Sequence, residues 1–326
     1  MRERLKIKNA CGLWSMFDIK RYSADAHDEW NAFVAKSKNG TFLLNRNYMD
    51  YHSDRFADAS LMFRRDGRLY AVLPANRVGD TLWSHQGLTY GGLLMDEACT
   101  AEGVLALFGE MNEWLKADGV KKVVYKPIPY IYATLPAEED LYALYRCGAT
   151  LVSRGISTTF DYSRLMKWKH DRHTALNRSR RHGVTVRLAG DFSAFWQILA
   201  DNLMRRHQVR PVHTLEEINL LKRRFPEEIV LYEAVDERGA TLGGILAFRM
   251  GRVLHSQYLA ASPEGKKAGA IEAIMDVVLQ EQGFDYFDFG ISTEDDGRVL
   301  NEGLIYQKEG FGGRGVCYDR YEYAIK

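Results

Sequence analysis

The sequence predicts an α/β (α+β) protein built from two copies of one unit, each a mixed, mostly antiparallel sheet flanked by helices. The order of predicted strands and helices repeats, and matched residues keep a nearly constant spacing. Trp30 matches Trp196 at an offset of 166 residues, and Gly148 matches Gly310 at an offset of 162. Offsets that drift so little over most of the chain indicate a duplication with small insertions and deletions.

Length and composition limit the class of protein. The 326 residues suffice for two hydrophobic cores, and a net charge of +1 provides no overall field that would recruit DNA or a membrane. No run reaches the roughly 18 apolar residues of a membrane span, so we expect a cytoplasmic protein with at most peripheral membrane association. The cysteines are scattered without metal-ligand spacing, which predicts reduced thiols and no metal site: Cys11, Cys99, Cys147 and Cys317.

The first unit is predicted to span residues 1–163. Three β-rich runs, separated by the hairpin signals Asp66-Gly67 and Gly79-Asp80, predict an antiparallel meander over 59–64, 69–78 and 81–86. Apolar residues then recur every 3.6 positions over 100–117, which predicts a helix, and a strand follows at 120–125.

The second unit, residues 184–326, repeats this order. Its meander is predicted at 228–235, 241–249 and 253–260, followed by a helix over 268–282 and strands at 284–289 and 316–325. Residues 164–183 are rich in arginine and lysine, and we expect them to form a basic helix that joins the two units.

The end of the second unit carries a family resemblance. A short helix is predicted to end in Tyr306-Gln-Lys-Glu-Gly310-Phe311, preceded by Asn301. A meander, a helix, a strand and such an ending resemble the GNAT acyltransferase fold. Two of these units joined by a basic helix resemble the FemAB-type peptidyltransferases, which add amino acids to peptidoglycan precursors. The resemblance implies two tandem GNAT-like units and a transferase.

The resemblance also implies an acyl donor. GNAT enzymes hold the coenzyme A pyrophosphate at a glycine-rich helix start, where backbone N–H groups face the anion. The matching segment Pro263–Ile271 keeps glycine and adds lysines but breaks the usual spacing. We expect acyl-CoA as donor, with aminoacyl-tRNA as the alternative, although no coiled-coil arm of the kind found in some FemAB relatives is present. The expected donor contacts are Lys266, Lys267, Gly269, Ala270 and Lys308.

Acyl transfer requires a base, donors for the oxyanion and an acid for the leaving group. Tyr306 occupies the position that resembles the GNAT general acid. His255 is the first candidate for the base, because its strand borders the acyl cleft in GNAT folds and imidazole titrates near neutral pH. Glu302 lies at the start of the short helix, and Lys308 could hold the oxyanion or a phosphate. Each also has a structural interpretation: a core tyrosine, a structural histidine, a first-turn carboxylate or a solvated lysine.

Two further candidates flank the expected acceptor cleft. Strand alternation predicts that His255 and Gln257 share one face and that Tyr258 lies on the other. His213 precedes a predicted capping box of Thr214 and Glu217, so it is either a loop residue beside that cap or part of the site. Its loop concentrates polar groups that could bind substrate, among them Arg205 and Arg210.

The basic segment between the units supplies further candidate ligands. We expect Arg178, Arg180 and Arg181 to bind a diphosphate, a nucleotide-linked sugar or tRNA, with a solvated helix as the plainer alternative. In the first unit, Cys147-Gly148-Ala149 replaces the Lys-Glu-Gly-Phe ending, so this unit is expected to bind or scaffold. His85 of this unit is expected to mirror His255.

Together these observations predict an acyltransferase that moves an acyl group from an activated donor to an amino group of a cell-envelope sugar or precursor. The expected acceptor is a nucleotide- or lipid-linked sugar. One alternative is an aminoacyl-tRNA-dependent ligase of peptidoglycan precursors. A second, of a different class, is a non-catalytic binding protein on a duplicated scaffold.

Overall fold

The computed structural model describes residues 7–8, 14–164 and 166–326. The chain forms two compact units, one of residues up to Gly155 together with Cys317–Lys326, and one of Ile156–Val316. These bounds differ from the predicted boundaries after residues 163 and 183. Residues 156–163 group with the second unit, and Cys317–Lys326 group with the first.

The elements before Gly148 are short strands and four helices, in chain order β1 (Ile7–Lys8), β2 (Trp14–Ser15), β3 (Asp18–Arg21), α1 (His27–Lys36), α2 (Arg46–Met49), β4 (Leu61–Arg65), β5 (Arg68–Leu73), β6 (Asn76–Val78), β7 (Thr81–Trp83), β8 (Leu94–Met95), α3 (Ala101–Ala117), β9 (Lys122–Tyr125) and α4 (Glu139–Arg146). The predicted run 69–78 is two strands, since Pro74 has no N–H to donate to a ladder and interrupts it.

The remaining elements are β10 (Thr150–Asp161), α5 (His170–Arg181), β11 (Thr185–Ala189), α6 (Ser193–His207), α7 (Leu215–Arg224), β12 (Ile229–Val235), β13 (Thr241–Met250), β14 (Val253–Ala261), α8 (Pro263–Ala268), α9 (Ala270–Val278), β15 (Tyr286–Ile291), β16 (Thr293–Glu294), β17 (Val299–Leu300), α10 (Glu302–Glu309) and β18 (Arg314–Ala324). The expected joining helix is α5, which begins at His170 and lies within the second unit.

The sheet of the second unit is a meander followed by one parallel pair. Strands β11 to β14 are antiparallel neighbours in sequence order, and β15 pairs with β14 in parallel. The parallel pair is possible because α8 and α9 carry the chain from the end of β14 back to the start of β15. Residues 157–161 of β10 then pair antiparallel with β15.

The first unit divides this scheme between two sheets. Strands β3, β4 and β5 form an antiparallel meander in one sheet, while β7 and β9 form a parallel pair in another, and α3 precedes β9 as α9 precedes β15. Residues 321–324 of β18 pair antiparallel with β9. Each unit is therefore completed by a strand that follows the other copy in sequence, which explains the unit bounds. The predicted mixed, mostly antiparallel architecture is confirmed.

Each unit buries the apolar face of its central helix. In the second unit, Ile271, Ile274, Met275 and Val278 of α9 lie in a cluster with the apolar face of the sheet, and in the first unit α3 does the same. Full burial of such a side chain contributes about 2 kcal/mol. Among the described residues, no helix has both the length and the apolar character needed to span a bilayer.

Candidate active site

Strands β14 and β15 separate beside a buried histidine and carboxylate. Their last paired residues are His255 and Asp288, and β14 then runs on to Ala261. His255 Nδ1 lies 2.9 Å from Asp288 Oδ2. The hydroxyl groups of Ser157 and Thr159, on β10, donate to the other carboxylate oxygen. Asp288 is fully buried, so its charge depends on these partners. This pair holds the two strands together at the point where they diverge.

A β-bulge changes which side chains of β14 share a face. The register with β13 shifts at Gln257. Leu254 and Leu259 are five positions apart, yet both pack against the same core cluster, which strict alternation does not allow. His255 and Tyr258 therefore both lie on the face of the sheet opposite this cluster. The prediction that they lie on opposite faces was wrong, because it assumed an uninterrupted strand.

Tyr258 anchors the loop that precedes α7. Its hydroxyl oxygen lies 2.7 Å from His213 Nδ1 and accepts a hydrogen bond from the His213 backbone N–H at 3.3 Å. Its ring packs edge-on against Trp196 of α6. Burial raises the pKa of Tyr258. The predicted capping box of Thr214 and Glu217 is present. The structure thus places His213 and Tyr258 together, with His213 buried and Tyr258 half-buried.

Two cavities of the second unit lie side by side between β14 and α10. The larger, about 1010 Å³, is at the upper end of ligand-pocket volumes. The smaller, about 170 Å³, lies along the bulged part of β14. Leu259, Leu304 and Gln307 line both cavities, so the two are adjacent.

Lys308 supplies a buried charge to the smaller cavity. Its Nζ donates hydrogen bonds to the carbonyl oxygens of Gly290, at 2.7 Å, and Ile291, at 3.0 Å. Burial lowers the pKa of Lys308 to about 8, against an opposing effect of the Asp288 charge. An ammonium group has three N–H donors, and two are used here. The sequence analysis placed Lys308 at the donor, and the structure places it among the side chains that line the smaller cavity.

Tyr306 and Glu302 lie at the outer surface of α10. Tyr306 is 53% exposed and lines the larger cavity, and Lys169 Nζ lies 3.7 Å from the centre of its ring. Its solvent contact rules out the core-tyrosine interpretation. Glu302 is exposed in the first turn of α10, where a carboxylate favours the helix dipole. Asn301 caps this helix by accepting from the Leu304 N–H.

The start of α9 faces α5, which changes the expected donor contact. A Cβ at Gly269 would lie 2.3 Å from the carbonyl oxygen of Ala175, on α5. Gly269 also has a φ of +84°, so only glycine fits easily. Ala270 is buried, Lys267 is exposed, and Lys266 lines the larger cavity. The backbone at Gly269 is therefore packed against a helix, and it does not form the open phosphate cradle that a GNAT-type coenzyme A contact requires.

The predicted basic residues divide into two groups. Arg178 lines the larger cavity, and its buried Nε has no hydrogen-bond partner. Arg180 pairs with Asp276 at 3.0 Å and is exposed. The others are exposed on α5, at the end of α6 or in the following loop: Arg181, Arg205 and Arg210.

Two lining arginines were not singled out from the sequence. Arg206 lines the larger cavity from α6, and Arg172 lines it from α5 and pairs with buried Glu272 at 2.6 Å. The basic character of α5 was a signal for Arg172, but the sequence contains no signal that Glu272 neutralises it. Three cationic side chains of this lining form no ion pair within 4 Å with any described carboxylate: Arg178, Arg206 and Lys266.

The described residues of the first unit contain no buried histidine–carboxylate pair at the matching position. The last pair of its parallel strands is Trp83 and Val124, where the second unit has His255 and Asp288. His85 comes two residues later, so the prediction that it mirrors His255 was wrong. Burial lowers the pKa of His85 to about 3, with a further contribution from His52, whose ring stacks on it. This histidine is a neutral core residue.

Comparisons with known proteins are consistent with this architecture. No protein-family model matches the chain, and neither does any curated protein. Among solved structures, FemX is similar with a TM-score of 0.66 and 13% identity, over 94% of this chain and 97% of FemX. L-PGS from Bacillus licheniformis is similar with a TM-score of 0.62 and 15% identity, over 93% and 92%.

A third similar structure is a tandem GNAT protein from the clavulanic acid biosynthesis pathway. It has a TM-score of 0.51 and 12% identity, over 95% of this chain and 99% of that protein. Similarity over nearly the full length of each protein confirms the predicted fold resemblance. The chain has the tandem GNAT-like fold that FemX, L-PGS and this tandem GNAT protein share.

Proposed function

We propose that the second unit catalyses acyl transfer from a carrier-linked donor to an amino group. The observation that carries this proposal is the pair of adjacent cavities, with Lys308 lining the smaller one and cationic side chains lining the larger one. The larger cavity holds the carrier, and the smaller one holds the acyl group. Its apolar lining, which includes Phe289 and Phe311, favours a small acyl group.

The mechanism assigns Lys308 to the oxyanion. The amine attacks the acyl carbon, a C–N bond forms, and the carbonyl oxygen becomes an oxyanion that the third N–H of Lys308 stabilises. The bond from the acyl carbon to the carrier oxygen or sulfur then breaks. Tyr306 protonates this leaving atom, and the proton lost by the amine is released to solvent, which Tyr306 contacts. His255 acts as a positioning residue, because Asp288 holds it at the separation of β14 and β15.

The donor that the geometry favours is an aminoacyl-tRNA. The GNAT mode of binding coenzyme A uses backbone N–H groups at the start of the central helix, and at Gly269 this backbone packs against α5. Arg178, Arg206 and Lys266 instead offer side-chain cations to phosphates. Acyl-CoA is the competing donor, since Lys266 lines the cavity from the segment that resembles the coenzyme A loop.

The acceptor follows from the fold resemblance. We propose the amino group of a cell-envelope sugar or precursor, linked to a nucleotide or a lipid. The fold shared with FemX and with L-PGS supports this assignment. A non-catalytic binding protein on the same scaffold would retain the cavities but release no product, so a transfer assay separates the two.

Donor binding by native mass spectrometry tests the proposal. Wild-type protein is mixed separately with aminoacyl-tRNA, uncharged tRNA and acetyl-CoA. We expect a one-to-one complex with aminoacyl-tRNA that is lost in the double variant Arg178→Glu, Arg206→Glu. The matched control is Arg238→Glu, an exposed arginine in the turn after β12. Preferential retention of acetyl-CoA would identify the competing donor. If neither donor binds, or if the double variant binds as well as the control, the cavity is not the donor site.

A further inference from the structure

The connection between α6 and α7 exposes apolar side chains beside cationic ones. Met204, Val209 and Val212 are 48%, 50% and 79% exposed. We call residues 204–212 the docking loop. Three arginines lie between these apolar residues, and all are exposed: Arg205, Arg206 and Arg210.

The docking loop is held at both ends. It begins in the last turn of α6 and is followed directly by His213, which is buried and contacts the Tyr258 hydroxyl at 2.7 Å. His213 is buried, whereas its neighbour Val212 is 79% exposed. The exposed valines are therefore presented by an anchored segment.

The charged side chains within the docking loop are all positive. Residues 204–213 contain three arginines and no Asp or Glu. Lys266 adds to this cluster, since it lines the same cavity as Arg206. Burial and the nearby charges of Arg206 and Arg205 lower the pKa of Lys266, which agrees with this proximity.

We propose that the docking loop binds an anionic lipid surface. Arginines attract acidic headgroups, and exposed aliphatic side chains gain free energy by entering the interface between headgroups and acyl chains. Nucleic acid would use the same cations, but its phosphates and bases offer nothing to Met204, Val209 and Val212, which are not stacking platforms. The combination of apolar and cationic groups therefore favours a bilayer.

This surface extends the proposed function without depending on it. Arg206 belongs both to the docking loop and to the lining of the larger cavity. A bilayer-bound loop would bring this cavity to the lipid surface. If the proposed function holds, acceptors carried by lipid then have direct access to it.

Vesicle sedimentation tests the inference with the full chain and needs no substrate. We expect binding to vesicles of phosphatidylglycerol and phosphatidylcholine and little binding to phosphatidylcholine alone. Removing two charges, with Arg205→Ser and Arg210→Ser, should weaken binding roughly 25-fold, since each cation contributes about fivefold. The double variant Val209→Asp, Val212→Asp should also abolish binding. The matched controls are Arg238→Ser and Val299→Asp, both exposed residues outside the docking loop.

Thermal unfolding of each variant, followed by circular dichroism, verifies that the fold is intact. The inference is overturned if wild-type protein does not sediment with anionic vesicles, or if the valine variant binds like its control. It is also overturned if the arginine variant loses tRNA binding while vesicle binding is unchanged. The vesicle results themselves do not bear on donor binding in the cavity, which is measured separately.

Discussion

Replacing Lys308 with methionine separates a catalytic role from a structural one. Lys308 is buried, and burial lowers its pKa from 10.5 to about 8, which corresponds to about 3 kcal/mol of unfavourable charge burial. Methionine removes this penalty but loses two hydrogen bonds from a charged donor, to Gly290 and Ile291, about 2 kcal/mol each. The melting temperature of Lys308→Met should therefore be unchanged or slightly lower.

The transfer rate of Lys308→Met should fall much more than its stability changes. Loss of an oxyanion donor typically lowers kcat by about 10²- to 10³-fold. In the wild type, the ammonium form is needed, so kcat should fall as the pH rises through about 8. The assay is transfer of a labelled aminoacyl group to a pool of nucleotide-linked amino sugars, with Lys116→Met, an exposed lysine of α3, as the control. If Lys308→Met transfers at the wild-type rate, or if kcat is independent of pH in this range, Lys308 does not hold the oxyanion.

Three further predictions concern stability. The pKa of His85 is lower in the folded state than its unfolded value of 6.5, so the free energy of unfolding decreases as the pH falls below 6.5. Urea unfolding near pH 5 should show a loss of about 2 kcal/mol relative to neutral pH, and no loss would contradict the burial of a neutral ring. Gly269→Ala should destabilise the protein by about 1–3 kcal/mol in the same assay, with Gly251→Ala, which has a positive φ but open space around it, costing less. A fragment of residues 164–326 should fail to fold by circular dichroism, because it lacks residues 157–161, which pair with β15; a cooperatively folded fragment would refute this.

Much of the fold could be predicted from local patterns. The 3.6-residue period of α3, the capping box of Thr214 and Glu217, and the turns at Asp66-Gly67 and Gly79-Asp80 are all short-range signals, and the structure contains each of them. The repeat could be predicted because an offset is visible in one sequence. Pairing between distant strands has no such signal, so the exchange of β10 and β18 between the copies was not predicted.

The helix and strand that carry the candidate residues could be predicted, but the contacts of those residues could not. The resemblance placed Tyr306, Lys308 and His255 on the elements that the structure gives them. The bulge at Gln257 adds one residue and reverses side-chain alternation, which the sequence does not indicate. The packing of α5 on Gly269 is a tertiary contact, and it changes the expected donor contact.

A pair of variants at Leu304 tests the central claim most directly, because Leu304 lines both cavities. Its side chain is 37% exposed, so substitution there leaves the core unchanged. The measurement is the transfer rate of a labelled acyl group from aminoacyl-tRNA, and in parallel from acetyl-CoA, by Leu304→Ala and Leu304→Trp. If the acyl group reacts in the smaller cavity, Leu304→Ala transfers at close to the wild-type rate, while Leu304→Trp, which adds bulk where the two cavities adjoin, still binds donor but loses transfer. Transfer by Leu304→Trp at the wild-type rate would contradict the account, since the reaction would then take place elsewhere.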